Sequence, residues 1–318
     1  MKVIGMMEFG GPEVLQVIDV PEPHPGSGEV RVRVHAAAVN PSDLAVRSTG
    51  YSGQMASQPK PHIPGWDAAG VIDEVGSGND GRLAVGDKVV AVASARSAHK
   101  GAYQQALIVP AASVVAAPRN LDFPSASTVL MNALTARLGL DAIALTRGQT
   151  IAVTGSAGAL GGYVIQLAKA DGLRVIADVS DTPEDRELVK RLGADELVTR
   201  GPGFTDRVLA LVPNGVDGLF DAALLNDSAV PAIADGGGLV TVRGWNGHVD
   251  RRVRVFPVFV GSAITDTTKL ERLRDQAEAG VLTARVAKVF PASEAAEAHR
   301  LLEKGGIRGR LVLDFTQL

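Results

Sequence analysis

Residues 151–162 read IAVTGSAGALGG, where a run of apolar, partly β-branched residues gives way to four glycines and three alanines. TIAVTG before the turn has the composition of a buried strand. ALGGYVIQLAKADG after it has the length and Ala/Leu content of a helix. Between them, G-S-A-G-A-L-G (155–161) puts Gly158 and Gly161 at the second and third positions of the pattern G-x-G-x-x-G, with Ser156 at the first. Gly158 would let a backbone approach a pyrophosphate, and Gly161 would let the helix pack on the strand. Free N–H groups at the helix start and the positive end of its dipole would hold phosphate oxygens. Gly155, Ser156, Ala157, Gly158, Ala159, Leu160 and Gly161 are therefore candidate cofactor-binding residues. The competing reading is a tight strand–helix turn with no ligand.

Working outward, strands and helices alternate on the C-terminal side: LRVIADV, PEDRELVKRLGA, ELVT, FTDRVLALV, GLFDAAL and GGLVTVRG. Such alternation predicts a parallel sheet with helices on both faces. The tail then reads helix, strand, helix, strand through KLERLRDQAEAGVL, AKVFPASEAAEAHRLLEKGG and RGRLVLDF. The N-terminal side differs. EVRVRVHAAAV (29–39), GWDAAGVIDEVG (65–76), DKVVAVA (87–93) and YQQALIVP (103–110) are short strand patterns punctuated by Gly and Pro, the signature of a barrel-like or sandwich domain. The character changes near residue 121.

The bulk numbers narrow the function. The chain has 318 residues, 46% of them hydrophobic, with 32 Lys and Arg against 35 Asp and Glu. That length suits two domains. The net charge of −3 comes with no basic block, which argues against nucleic acid as the main partner. No run reaches the roughly 18 unbroken apolar residues of a membrane span, and the start, MKVIGMMEFGGPEV, lacks a signal-peptide core. A cytoplasmic protein is expected. There is no cysteine, so disulfides, thiolate nucleophiles and Cys-ligated zinc are excluded.

The acid at the end of the second strand of such a fold chooses the nucleotide. Here the stretch is RVIADVSDTPEDR, with Asp178, Ser180 and Asp181 lying 17, 19 and 20 residues beyond Gly161. Spacing alone permits an NAD acid, and it equally permits a solvated strand end.

In order and spacing, AAAVNPSDLAVRSTGY (36–51), IPGWDAAGVIDEVGSG (63–78), GDKVVAV (86–92), GAYQQALIVP (101–110), ALTARLGL (133–140), VTGSAGALGG (153–162) and GRLVLDF (309–315) resemble the medium-chain dehydrogenase/reductase superfamily, in its zinc-independent quinone oxidoreductase branch. The resemblance covers essentially the whole chain. It implies an α/β protein with a GroES-like β domain, split in sequence over 1–121 and 262–318, and a Rossmann nucleotide-binding domain over 122–261. Zinc alcohol dehydrogenases of the superfamily carry Cys where this chain has Asn40, His-Glu where it has Trp66-Asp67, and a four-cysteine loop near residue 95. His24, His35, His62 and His99 form no ligand pattern, so no metal is expected.

The resemblance also implies site residues. Asn40 and Tyr51 match positions that line the site near the nicotinamide, where they would supply hydrogen-bond donors to a developing oxyanion. The competing reading of Asn40 is a turn former before Pro41. Ala45 replaces a second tyrosine of several relatives. Thr135 lies where relatives contact the nicotinamide, and Leu225 where many have Gly beside its ribose. Asn132 also stands in place of Gly. Similar reductases have Gly or Ser at Ser180, where a carboxylate would repel the 2′-phosphate of NADPH, and Arg200 would pair with that phosphate. NADPH is accordingly the expected cofactor, with Asp178 and Asp181 counting against it. Asp43 and Arg47, at i, i+4 spacing, are candidates for an ion pair.

The expected function is metal-free hydride transfer from NADPH to a small-molecule quinone or α,β-unsaturated carbonyl compound. The alternatives are a catalytically weak NADP(H)-binding sensor or scaffold, and a tailoring reductase for one metabolite. Relatives commonly form homodimers, and FPVFVGSAI (256–264) reads as either an edge or a central strand. WNGHVDRRVRV (245–255) is the most charged stretch near the expected site.

Overall fold

The computed structural model describes residues 1–318 apart from 51, 52, 79, 80, 246–248, 250 and 251. In chain order the first elements are β1 (Lys2–Gly5), β2 (Gln16–Asp19), β3 (Glu29–Val39), α1 (Pro41–Thr49), β4 (Asp67–Val75), β5 (Lys88–Val92), β6 (Ala106–Pro110) and β7 (Val114–Ala116). The chain continues through α2 (Phe123–Ala126), α3 (Leu130–Ile143), β8 (Thr150–Thr154), α4 (Ala159–Ala170), β9 (Arg174–Val179), α5 (Pro183–Arg191) and β10 (Glu196–Thr199). There follow α6 (Phe204–Leu211), β11 (Val216–Asp221), β12 (Ile233–Thr241), β13 (Arg254–Pro257), α7 (Thr267–Glu278), β14 (Val286–Pro291), α8 (Ala295–Lys304) and β15 (Arg310–Asp314).

Two compact units divide the chain: residues 1–131, 261–280 and 284–318 in one, residues 132–260 and 281–283 in the other. The composition shift near residue 121 marks where the strand-rich run ends, while the first unit itself continues ten residues further, through α2 and into α3.

The first unit is built on a seven-stranded sheet in the order β14-β15-β3-β4-β5-β7, with β6 also pairing β3. Its pairings are antiparallel except β14 with β15. The last strand joins the third one directly, Leu311 opposite Val39 and Leu313 opposite Ala37, which is how a domain split in sequence closes on itself. Strand alternation buries Val30, Val32 and Val34 against Ile72, Leu107, Leu311 and Leu313. Each fully buried aliphatic side chain of this kind contributes roughly 1.5–3 kcal/mol.

The second unit holds six parallel strands in the order β10-β9-β8-β11-β12-β13. Numbered within the unit this is 3-2-1-4-5-6, the doubly wound dinucleotide-binding order, so the expected Rossmann sheet is borne out. The order reverses between β8 and β11, and the ligand crevice of such sheets opens at the carboxyl ends of those strands. All five residues of β8 are buried, the apolar residues 151–153 between Thr150 and Thr154, as a strand covered on both faces requires. Of FPVFVGSAI, only Phe256 and Pro257 belong to a strand, and β13 is the sheet edge.

Candidate functional site

In the second unit the glycine turn leaves the end of β8 at the switch point. Gly155 has φ +67°, a left-handed conformation that favours glycine. Gly158 caps α4. A Cβ on Gly161 would stand 2.3 Å from the Gly155 carbonyl oxygen, so helix and turn pack at a distance only glycine permits. Ser156 is fully buried, and its hydroxyl donates to the Val153 carbonyl at 2.9 Å. Ala157, Ala159 and Leu160 are half-buried around the start of α4. The arrangement is a backbone cradle at a helix N-terminus, and it fits a dinucleotide diphosphate.

The acids at the end of β9 and just beyond it have protein partners. Asp178 turns under the glycine loop and accepts from the Ser156 N–H at 3.0 Å. Burial pushes its carboxyl above the usual range, against the pull of the Ser156 and Gly155 amides and the Arg200 charge. Asp181 accepts from the Thr199 hydroxyl at 2.9 Å. Asp178 is thus committed to the glycine loop, while Asp181 stays exposed with Oδ1 on Thr199. Ser180 donates to Asp185 and lies 2.9 Å from the Thr182 hydroxyl, so an acid that the sequence reading did not weigh stands beside it. Arg200 is exposed after β10, and its N–H bonds the Val179 carbonyl at 2.8 Å. Thr135 and Asn132 are buried on α3. Leu225 is half-buried against the core, between Leu224 and Asn226, which both have positive φ.

In the first unit Asn40 is fully buried at the start of α1. Its Nδ2 donates to Asp67 Oδ2 at 3.1 Å, and its Oδ1 accepts from Arg310 Nη2 at 2.7 Å. The same guanidinium nitrogen reaches Asp67 Oδ2 at 3.2 Å, and the Met131 N–H donates to Asp67 Oδ1 at 2.8 Å. Burial pushes the Asp67 carboxyl up, with Arg310 opposing. Local backbone alone does not explain Asn40: its bond to the Ala38 carbonyl, at 3.4 Å, is the longest it makes. Asp43 and Arg47 do not pair with each other. Asp43 turns back to the Asn40 N–H at 2.8 Å, the acid half of a capping box, while Arg47 takes the Gly10 carbonyl at 3.1 Å and the Glu303 carboxylate. Tyr51 lies outside the described residues, as does much of the loop 245–255.

This chemistry is a poor fit for zinc. The amide and carboxylate at positions 40 and 67 bond each other and share one arginine, and position 66 is a buried tryptophan. Among the described residues no three His, Cys, Asp or Glu side chains group as a metal site. Sequence reasoning missed Arg310 and the partners of Asp67. The available signals were an acid opening the apolar run DAAGVI and an arginine opening the buried strand RLVLD.

Comparison with known proteins places this geometry. Residues 26–119 match the alcohol dehydrogenase GroES-like domain, and residues 192–313 match a family described as zinc-binding dehydrogenase. The quinone oxidoreductase of Rattus norvegicus is 30% identical over 332 residues, covering 98% of this chain and 97% of that one. The chain belongs to the quinone oxidoreductase branch of the medium-chain dehydrogenase/reductase superfamily. The chloroplastic NADPH-dependent alkenal/one oxidoreductase of Arabidopsis thaliana is 30% identical over 98% of this chain and 79% of its own length. Among solved structures, mycobacterial Rv1454c complexed with NADPH superposes with a TM-score of 0.86 at 28% identity, covering 99% of this chain and all of that one. The match over residues 26–119 bears out the GroES-like domain. At the positions where zinc-dependent members carry ligands, Asn40 and Asp67 here bond to one another.

Proposed function

We propose that the protein is a metal-free, NADPH-dependent reductase that transfers hydride to quinones or α,β-unsaturated carbonyl compounds. The observation that carries the reading is the glycine cradle, Gly155 to Gly161, at the switch point of the parallel sheet. The named activities of the relatives supply the acceptor class. NADPH would bring the hydride. The chain's own residues hold and orient: turn amides and the α4 N-terminus for the diphosphate, Thr135 and Leu225 toward the nicotinamide end, Ser180 and Arg200 toward the 2′-phosphate. Asn40 and Tyr51 are assigned to the acceptor on the family resemblance. With the position-40 and position-67 side chains spent on Arg310, no Lewis acid is held there. The favoured acceptors are therefore those that stabilise negative charge by themselves.

Steady-state oxidation of NADPH with 1,4-benzoquinone and with a simple enone tests the reading. Turnover with either supports it. NADPH binding by nicotinamide fluorescence without turnover across an acceptor panel would favour the sensor or scaffold instead. Turnover confined to one elaborate acceptor would mark a tailoring reductase. The same reading includes a cytoplasmic homodimer joined through the β13 edge. Sedimentation of the wild type against a Val255→Pro variant checks the dimer, since proline removes an edge donor. Among the described residues no helix is long and apolar enough to cross a membrane.

A further inference from the structure

Two buried side chains close to Asn40 have no part in the reading above. The Tyr103 hydroxyl lies 3.2 Å from Asp43 Oδ2 and 3.2 Å from His299 Nε2. All three side chains are fully buried. Asp43 meets only donors otherwise: the Asn40 N–H at Oδ2, 2.8 Å, and the Gly65 N–H at Oδ1, 3.0 Å. At the far end of the row, His299 Nδ1 has no hydrogen-bond partner, and neither has Arg47 Nη1.

A phenol has one proton and sits here between two groups that can each accept it. When Asp43 is ionised, Tyr103 donates to Asp43 and its oxygen accepts from His299 Nε2–H, leaving Nδ1 as a bare lone pair. When Asp43 is protonated, its O–H needs an acceptor, and among the hydrogen-bond partners of Asp43 in the described residues Tyr103 offers one. Tyr103 then donates to His299 Nε2, and the imidazole proton moves to Nδ1. One proton gained at Asp43 therefore reverses two hydrogen bonds and exchanges the histidine tautomer without charging the ring. The bond to the Asn40 N–H is charge-assisted in the first arrangement and ordinary in the second.

We propose that Asp43, Tyr103 and His299 form a buried two-state hydrogen-bond chain in which Asp43 and Tyr103 are positioning residues for the Asn40 end of α1. The proposal rests on the reading that Asn40 serves the reductase site. Burial pushes the Asp43 carboxyl up to about 7, so both arrangements are populated near neutrality. Burial, aided by the Arg47 charge, pushes His299 down to about 3, so the ring stays neutral throughout. The charged and titratable groups around the chain are Asp67 on β4, which favours protonated Asp43, Arg310 on β15, whose charge reaches Tyr103, and Arg47 on α1, which faces His299.

The experiment uses the full chain labelled with ¹⁵N-histidine. Long-range proton–nitrogen spectra are recorded from about pH 5.5 to 8.5, the range in which histidine chemistry ordinarily changes, beside kcat and the KM values for benzoquinone and NADPH. His299 is expected to pass from Nδ1–H to Nε2–H as pH rises, with kcat rising alongside and KM for NADPH unmoved. Tyr103→Phe breaks the row while keeping its shape, and should freeze the tautomer and flatten the kcat profile. Asp43→Asn should do the same. A single His299 tautomer across the range in the wild type overturns the chain. A tautomer change with identical kcat profiles in wild type and Tyr103→Phe overturns the positioning role. Absence of turnover with every acceptor sinks the reductase reading instead, and the spectra still decide the chain.

Discussion

Arg310 Nη2 lies 2.7 Å from Asn40 Oδ1, joining two residues 270 positions apart in the sequence. The contact lets the last strand clamp the turn at the start of α1, and it places a cation beside the buried Asp67 carboxylate.

Removing that cation should be expensive. Arg310→Met leaves Asp67 buried and uncompensated, a loss of about 3–5 kcal/mol by analogy with other broken buried pairs. Urea unfolding measures it. The double variant Arg310→Met, Asp67→Leu should recover most of the loss, and a cost within experimental error for the single variant would show that water reaches Asp67.

If the position-40 and position-67 side chains hold each other and not a metal, chelation is harmless. Overnight treatment with 1,10-phenanthroline should leave kcat unchanged, and the purified protein should carry no stoichiometric zinc by elemental analysis. Loss of activity on chelation, restored by zinc, would contradict the reading.

Stability should respond to pH through two opposed buried groups. The Asp43 carboxyl is raised from 3.8 to about 7, so between those values the unfolded chain has released a proton that the folded one keeps, and stability falls as pH rises. His299 is lowered from 6.5 to about 3, so below 6.5 the unfolded chain takes up a proton that the folded one refuses, and stability falls as pH drops. The slopes oppose each other from about pH 4 to 6.5. Melting curves across that window should show Asp43→Asn gaining a positive slope relative to wild type, and His299→Gln a negative one.

The glycine cradle has a direct test. Gly161→Val puts side-chain atoms against the Gly155 carbonyl, where even a Cβ would stand at 2.3 Å. NADPH affinity should fall by at least about tenfold, the order expected when backbone donors to a phosphate move out of line. Fluorescence titration reads it, and unchanged affinity would remove the turn from the nucleotide site.

Asp185 bears on the choice of nucleotide. Its carboxylate accepts from Ser180, the residue assigned to the 2′-phosphate. Asp185→Asn should tighten NADPH several-fold and leave NADH nearly unchanged, because only the former carries the extra charge. Equal changes for both nucleotides would place Asp185 away from the phosphate.

Patterns local in sequence determined much of this protein. The apolar, partly β-branched centre of β8, the glycines that follow it and the strand–helix alternation beyond gave the doubly wound sheet and its switch point, because strand period, turn chemistry and helix caps are set by neighbouring residues. The absence of cysteine, with Asn40 and Trp66 at ligand positions, led to the expectation of a chain without zinc. Tertiary structure alone decided where the acids went. Spacing left Asp178 and Asp181 open between a ribose and a solvated strand end, and the fold turned one beneath the glycine loop and the other onto Thr199, and brought Asp185 to Ser180. It likewise paired Asn40 with Arg310, and Asp43 with Tyr103 and His299. A buried polar group must find a partner wherever the packed chain offers one, and that partner is chosen by proximity in space, which residue spacing does not encode.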